Sequence, residues 1–406
     1  MKNKTIFKFG LIGSLYITQA IPIGFFREAV PTLMRKMGLE LTIIGLLAVL
    51  LQLPWLFKFL WAPLLDRFGI IKFGWRRSWI IPLQTIGSVI ILFLIFFDMQ
   101  HNLLIVLILF LIFNFFCATQ DIATDGLAVE ILTKDERGPG NGIQVAGHRL
   151  GIVLGGGVIL IIFEHAGWSL TMLIMALFFI SPLIPVLFYK EKKIERIKKR
   201  EIGIFEFIKF FKRPGNLIWG LLIIPIYKAG EGMTLMMLNP LLIDIGLSLT
   251  EIGILVGTVG FGSAFLGAMF GGFLIPKIGR KNALILFGIV QVLGFLGYLI
   301  PAYGMSDLRI LYVVVPFAQL GGGLTSAILY TVMMDRCNID SAGSDFTIQQ
   351  TLSYVGAAIC AGLSGLISSK FGYHGNFLVA TIIMLSAVLI IIKVMNQKVP
   401  TNNLTI

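Results

Sequence analysis

Apolar residues run through this chain in long stretches, broken at intervals by short polar segments. A membrane-crossing helix needs about 20 mostly apolar residues. Twelve segments meet that requirement, at about 6–27, 41–64, 79–97, 103–132, 141–163, 168–189, 215–243, 250–274, 283–300, 308–334, 346–369 and 374–394. The longest polar interruption, Lys190 to Arg213, follows the sixth segment and is rich in lysine and arginine. The pattern therefore predicts an all-α polytopic membrane protein of 12 transmembrane helices in two halves. Its expected parts are an N-terminal six-helix half (1–189), a basic cytoplasmic linker (190–213), a C-terminal six-helix half (214–396) and a cytoplasmic tail (397–406).

Composition agrees. The 406 residues are 57% hydrophobic and only 13% charged, where soluble domains are about 25% charged. A net charge of +12 raises the question of nucleic acid, but its distribution answers it. With an even number of spans both termini share a side. Twenty-five lysines and arginines fall on that side, five on the other and three within spans, which accounts for all 33. The positive-inside bias places both termini in the cytoplasm, and no nucleic-acid partner is expected. The first span lacks a small-residue cleavage site and is read as retained. Cys117, Cys337 and Cys360 have no metal-ligand spacing and read as small packing residues. No glycine run is followed by the Lys-Ser/Thr pair of a phosphate loop. No cofactor or metal is implied. The four histidines form no nucleophile–base constellation, so an intramembrane enzyme is a remote alternative.

The two halves echo each other. Ile21-Pro22-Ile23 with Glu28 returns as Ile224-Pro225-Ile226 with Glu231, at an offset of 203. Ile143-Gln144 with Gly151 returns as Ile348-Gln349 with Gly356, at an offset of 205, and Glu130 falls on Asp335. Leu41-Thr42 and Leu249-Thr250 open the second and eighth segments, 208 apart. Two six-span halves of the same orientation are the arrangement of the major facilitator fold, in which the substrate site lies near mid-membrane between the halves.

Polar residues inside the spans mark the candidate site. Residues 119–130 place Gln120, Asp121, Asp125 and Glu130 in the second half of the fourth span. A charge at bilayer depth costs about 2.5–3.5 kcal/mol on insertion scales and is a functional candidate by default. Asp121 and Asp125 are four residues apart and share a helix face. At 1.5 Å of rise per residue, Asp125 lies about 10 Å inside and Asp121 about 16 Å inside, while Arg149 on the fifth span lies about 12 Å inside. Arg149 is thus placed to meet either acid. A structural ion pair and a substrate- or proton-linked role both fit, with Gln144 and His148 nearby. A second set comprises Gln19, Arg27 and Glu28 on the first span and Tyr227, Lys228 and Glu231 on the seventh. Gln350 and Tyr354 on the eleventh span, with Gln349 beside them, offer neutral hydrogen-bonding groups, as Asn114 and Gln319 do with less weight. Between the second and third spans, Asp66, Arg67, Arg76 and Arg77 form a cytoplasmic cluster suited to latching helices, a gating loop rather than a substrate contact.

Three blocks carry a family resemblance: Lys58-Phe59-Leu60-Trp61-Ala62-Pro63-Leu64-Leu65-Asp66-Arg67, Arg76-Arg77-Ser78-Trp79, and Ala118-Thr119-Gln120-Asp121-Ile122-Ala123-Thr124-Asp125-Gly126. Together they resemble the branch of the major facilitator superfamily that contains the AmpG muropeptide permeases and the acetyl-CoA transporters. Gln19-Ala20-Ile21-Pro22-Ile23-Gly24-Phe25, Asp125 to Glu130, and Asn141 to Gly147 look closer to the RhtX/FptX-type siderophore permeases within it. That resemblance implies a monomeric permease of the bacterial inner membrane that imports a siderophore, ferric or iron-free, by proton symport. Asp121 and Asp125 would be the proton-linked carboxylates. Arg149 and Lys228 would partner ligand oxygens. The alternative is a muropeptide or other sugar-peptide or organic-anion permease on the same fold.

Overall fold

A computed structural model of the protein describes residues 2–97, 99–191, 206–305 and 307–396. The expected linker lies mostly outside the described residues, at 192–205, and the expected tail, 397–406, lies wholly outside them. All regular structure among the described residues is helical. Lipid offers no partner to a backbone N–H or C=O, so an apolar chain that crosses it must satisfy them within the helix.

Ten continuous helical stretches are long and apolar enough to cross a membrane: α1 (Lys4–Lys36), α2 (Ile43–Leu60), α3 (Arg77–Phe96), α4 (Leu103–Ile131), α5 (Arg137–Phe188), α6 (Asn216–Asp244), α7 (Thr250–Ile278), α8 (Arg280–Ala302), α9 (Leu308–Asp335) and α10 (Ile339–Val394). Two of them differ from the rest. α5 has 52 residues and α10 has 56. Unbroken helices of that length would rise about 80 Å, against a hydrocarbon core of about 30 Å. Each is interrupted by one glycine, Gly167 (φ 71°, ψ −177°) in α5 and Gly372 (φ 69°, ψ 176°) in α10. A side chain strongly disfavours this backbone region. The two glycines are 205 residues apart, the offset that also relates Gln144 to Gln349.

Contacts divide the chain into two units. One comprises Met1–Glu136, Ile143–Phe210 and Arg336–Ile348, and the other Arg137–Gly142, Phe211–Asp335 and Gln349–Ile406.

In the first unit, α1 and α4 each have an aromatic end and a polar end. Phe25 and Phe26 pack edge-on against Phe110, with ring centroids 5.4 and 5.2 Å apart, in a dry cluster that includes Phe113 and Phe179. Tyr16 and Gln19 on α1, and Asp121 and Asp125 on α4, occupy the other portions and are also buried. What seats α1 is a glycine seam on α5. A Cβ at Gly151 would stand 2.1 Å from the Ile17 carbonyl oxygen, and one at Gly155 only 1.9 Å from that of Ile21. Backbone therefore lies directly on backbone, a common way for helices to associate in lipid.

Gly155→Ala is expected to force α1 away from α5 and destabilise the protein by about 1–3 kcal/mol, the usual cost of overpacking. Gly157→Ala, where a Cβ meets nothing within 4 Å, is the control and is expected to leave stability unchanged. Thermal unfolding of the two purified variants in detergent checks this. Equal midpoints would refute the seam.

Candidate transport site and the expected gating loop

The buried acids of α4 find their partners on α2 and α1. Lys58 stands in a short 3-10 turn, Lys58–Leu60, at the end of α2. Its ammonium forms an ion pair and hydrogen bond with Asp121 Oδ2 and lies 5.3 Å from the centroid of the Trp55 ring. The Trp55 indole N–H donates to Asn114 Oδ1 at 2.7 Å, and Asn114 donates to the Leu51 carbonyl, which fixes the α2–α4 register. The Tyr16 hydroxyl donates to Asp125 Oδ1 at 2.5 Å. Lys58 and Asp125 are completely buried and Asp121 is 5% exposed. Asp125 interacts electrostatically with both Asp121 and Lys58. Two carboxylates thus share one ammonium at a depth where net charge is costly.

In the first unit, buried polar atoms with no hydrogen-bond partner include both amide atoms of Gln19, Gln120 Oε1, Thr124 Oγ1, Asp125 Oδ2 and Gln144 Oε1. Buried polar groups are ordinarily hydrogen-bonded, so these atoms on α1, α4 and α5 are available to a polar ligand or water.

The sequence placed Arg149 opposite Asp121 or Asp125. The structure gives those acids to Lys58 and Tyr16 instead. Depth along two helices says nothing about rotation around them, and the long lysine stem reaches in from α2. Arg149 and His148 are half-buried, and His148 lies within electrostatic reach of Asp121, Arg149, Lys58 and Arg27. Gln120 turns elsewhere: its amide donates to Gln84 on α3 at 3.2 Å. Arg27 and Glu28 are exposed and pair with each other at 3.5 Å, apart from the buried acids. In the second unit, Lys228 pairs with Glu231 one helical turn on and donates to Ser326 Oγ of α9 at 2.9 Å. Tyr227 is a packing group, its hydroxyl donating to the Leu284 carbonyl at 2.9 Å. Gln350 is buried, and Tyr354 is 40% exposed. Gln349 accepts from the Trp219 indole N–H at 2.8 Å and donates to the Met333 carbonyl.

The expected gating loop is built around Arg76. Its guanidinium is fully buried, donating to Asp66 Oδ1 at 2.5 Å and Glu130 Oε1 at 2.8 Å. Burial alone would ease the proton off Arg76, but Glu130 and Asp66 outweigh it and hold the group above its ordinary range. Asp66 also accepts from the backbone N–H of Gly343 and Ser344, and from Ser344 Oγ, at the start of α10. An acid is well placed there, because the first N–H groups of a helix have no partner within it. Glu191 accepts from the backbone N–H of Arg76 and Arg77 at the start of α3; burial pushes its carboxyl up, against the lowering by those two bonds. Arg67 lies against the Phe68 ring, and Arg77 donates to the Leu187 carbonyl. A parallel arrangement exists within the second unit, where Asp335 accepts from Arg280 at 2.9 Å and Arg137 at 2.8 Å. Lys58, Tyr16, Thr124, Glu191 and Ser344 were missing from the candidate residues. Only Lys58 carried a signal, as a charge inside a span.

The Arg76 cluster predicts unequal effects. Removing one partner of a buried ion pair costs about 3–5 kcal/mol, so Arg76→Ala is expected to lower the unfolding temperature and abolish transport. Arg67→Ala should keep uptake within about twofold, because exposed contacts contribute little. Uptake and thermal unfolding of the two variants check this; equal losses would contradict it.

Comparisons with known proteins agree with this architecture. Solved structures that share the fold include a bacterial homologue of the iron transporter ferroportin in an outward-facing state (TM-score 0.74, 13% identical, covering 96% of this chain and 100% of that one). The transporter FucP in an outward conformation is similar at a TM-score of 0.71 and 13% identity, over 96% of this chain and 99% of that one. At such identities the likeness shows the fold alone. Among curated sequences, the anhydromuropeptide permease of Escherichia coli is 28% identical over 368 residues, 90% of this chain and 75% of that one. An uncharacterised protein of Haemophilus influenzae is 30% identical over 372 residues, 88% of this chain and 87% of that one. The family model of the Major Facilitator Superfamily matches residues 12–359. The chain belongs to the Major Facilitator Superfamily, as a multi-pass protein of the bacterial inner membrane whose relatives place it in the AmpG branch of permeases.

Proposed function

We propose that this permease imports a muropeptide or closely related sugar-peptide across the inner membrane, by proton symport and alternating access through twelve spans. The observation that carries the reading is the buried Lys58–Asp121–Asp125 site, in a unit that also holds orphaned amide, hydroxyl and carboxylate atoms. Sugar-peptides present amides, hydroxyls and carboxylates, the groups that such atoms can bond. A dyad of acids sharing one ammonium supplies the protonatable element. The relative named as an anhydromuropeptide permease, aligned over 90% of this chain, supports the substrate class. The siderophore reading expected from the sequence gains no support from the comparisons. The likeness to a ferroportin homologue at 13% identity bears on fold and not on cargo. The muropeptide class, the alternative in the sequence, takes its place. ATP has no part in this account, and the family is one of transporters rather than enzymes.

Two measurements test the reading. Cells with the gene are expected to accumulate radiolabelled anhydromuropeptide, and a protonophore should collapse that uptake. Gene-dependent uptake of a ferric siderophore, with none of anhydromuropeptide, would overturn it. Asp121→Asn is expected to abolish gradient-driven uptake while the protein stays folded; normal uptake by that variant would remove the dyad from the mechanism.

A further inference from the structure

Lys58 belongs to none of the candidate sets read from the sequence, yet among the described residues it is the cation bonded to Asp121. It is fully buried, and it stands where α2 loses regular α-helical geometry in the turn Lys58–Leu60. Pro54 precedes that turn and Pro63 follows it. A lysine is a compact charge on a flexible four-carbon stem. Such a group can leave one carboxylate for another with little backbone movement, particularly at a helix break. Asp125 Oδ2, beside the pair, and Thr124 Oγ1 and Gln144 Oε1 in the same unit are buried without hydrogen-bond partners and are available to a polar ligand.

We propose that Lys58 is the anion-recognition residue of the permease: its ammonium passes from Asp121 to a carboxylate of the incoming substrate when Asp121 takes up a proton. This deepens the proposed symport and rests on it. Charges balance at each stage. Before loading, the dyad holds one proton and one negative charge, and Lys58 neutralises that charge. On loading, a proton from the side of higher proton concentration bonds to an oxygen of Asp121, and the Lys58–Asp121 ion pair breaks. The Lys58 Nζ–H groups then bond to a substrate carboxylate. The loaded site is neutral again, with both acids protonated and Lys58 paired to the cargo. Release of the substrate carboxylate into the cytoplasm returns Lys58 to Asp121 and expels the second proton. One proton therefore accompanies each carboxylate that Lys58 carries. The titratable and charged groups facing this pair are Asp125 and Cys117 on α4, Tyr16 on α1, and His148 and Arg149 on α5, with Arg27 also felt at His148. A variant that changes the pH response must be compared with a substitution at His148 to separate their contributions.

The experiment uses the full purified chain in proteoliposomes and two probes. One is radiolabelled anhydromuropeptide; the other is the same compound with its carboxylates converted to primary amides. Wild type is expected to bind the acid form more tightly as pH is lowered and the amide form with little pH dependence. Lys58→Gln should weaken the acid form about tenfold or more, the loss of one charge-assisted contact, while leaving the amide form within about twofold. Asp121→Asn should bind the acid form equally at low and high pH, and His148→Gln should keep the wild-type slope. Lys58→Met/Asp121→Asn removes both charges together, so a folded double variant with no pH response shows that the effect is not misfolding. Unchanged preference for the acid form in Lys58→Gln overturns the proposal and leaves the muropeptide reading standing. Binding of neither probe by wild type ends the muropeptide reading instead. Infrared titration without substrate then decides the role of Lys58. A second protonated-carboxyl band, beyond that of the resting dyad, that appears in wild type as pH falls, is absent in Asp121→Asn and is already present at neutral pH in Lys58→Met supports the exchange. A band indifferent to both substitutions refutes it.

Discussion

Two carboxylates on one face of a helix, inside an apolar medium, are the constraint around which the first unit is arranged. Each unpaired charge at that depth costs several kcal/mol, and each unsatisfied polar atom adds more. Lys58 and the Tyr16 hydroxyl meet most of that demand. Their own placement depends on features that look unrelated to chemistry. The glycine seam of α5 lets α1 lie close enough for Tyr16 to reach Asp125. The indole of Trp55, bonded to Asn114, holds α2 against α4 just before the turn that carries Lys58. Overpacking α1 against α5 would therefore disturb a proton site that makes no direct contact with the glycines.

The Arg76 cluster uses a different kind of recognition. Asp66 joins the Arg76 guanidinium to backbone N–H groups and the Ser344 hydroxyl at a helix start. Arg76 is packed so tightly that a Cβ at Gly126 would fall 2.5 Å from its guanidinium carbon, and one at Gly343 would approach Asp66 Oδ1 at 3.1 Å. The glycines here are spaces kept for an ion pair. The second unit repeats the theme with Asp335 between Arg137 and Arg280. Arg280 follows Arg76 by 204 residues and Asp335 follows Glu130 by 205, close to the offsets of the other repeats.

Much of this was legible in the sequence, and the rest was hidden for identifiable reasons. Hydrophobic run length announces membrane helices because lipid permits few alternatives. The acids of α4 stood out because charge in a span is rare. The repeat located Glu130 and Asp335 as counterparts, and both accept from arginines. What could not be read was azimuth. Arg149 has the right depth for Asp121, but Lys58 holds the right direction. Gln120 adjoins Asp121 in sequence and yet turns to Gln84. Tyr227 looked like a cavity residue and is instead tied to the Leu284 carbonyl. Glu191 was invisible because a residue that bonds backbone at a helix start leaves no pattern in composition or spacing, and Ser344 because its donors meet an acid 278 residues away.

The central claim is that the acid dyad of α4 exchanges a proton each time cargo crosses. The direct test is proton movement driven by substrate, with no imposed gradient. Proteoliposomes containing the protein and an internal pH-sensitive dye would receive anhydromuropeptide on the outside. The account predicts acidification of the lumen in step with substrate entry, absent when Asp121 is replaced by asparagine. Substrate entry with no change in lumenal pH, or the same acidification in that variant, would contradict it.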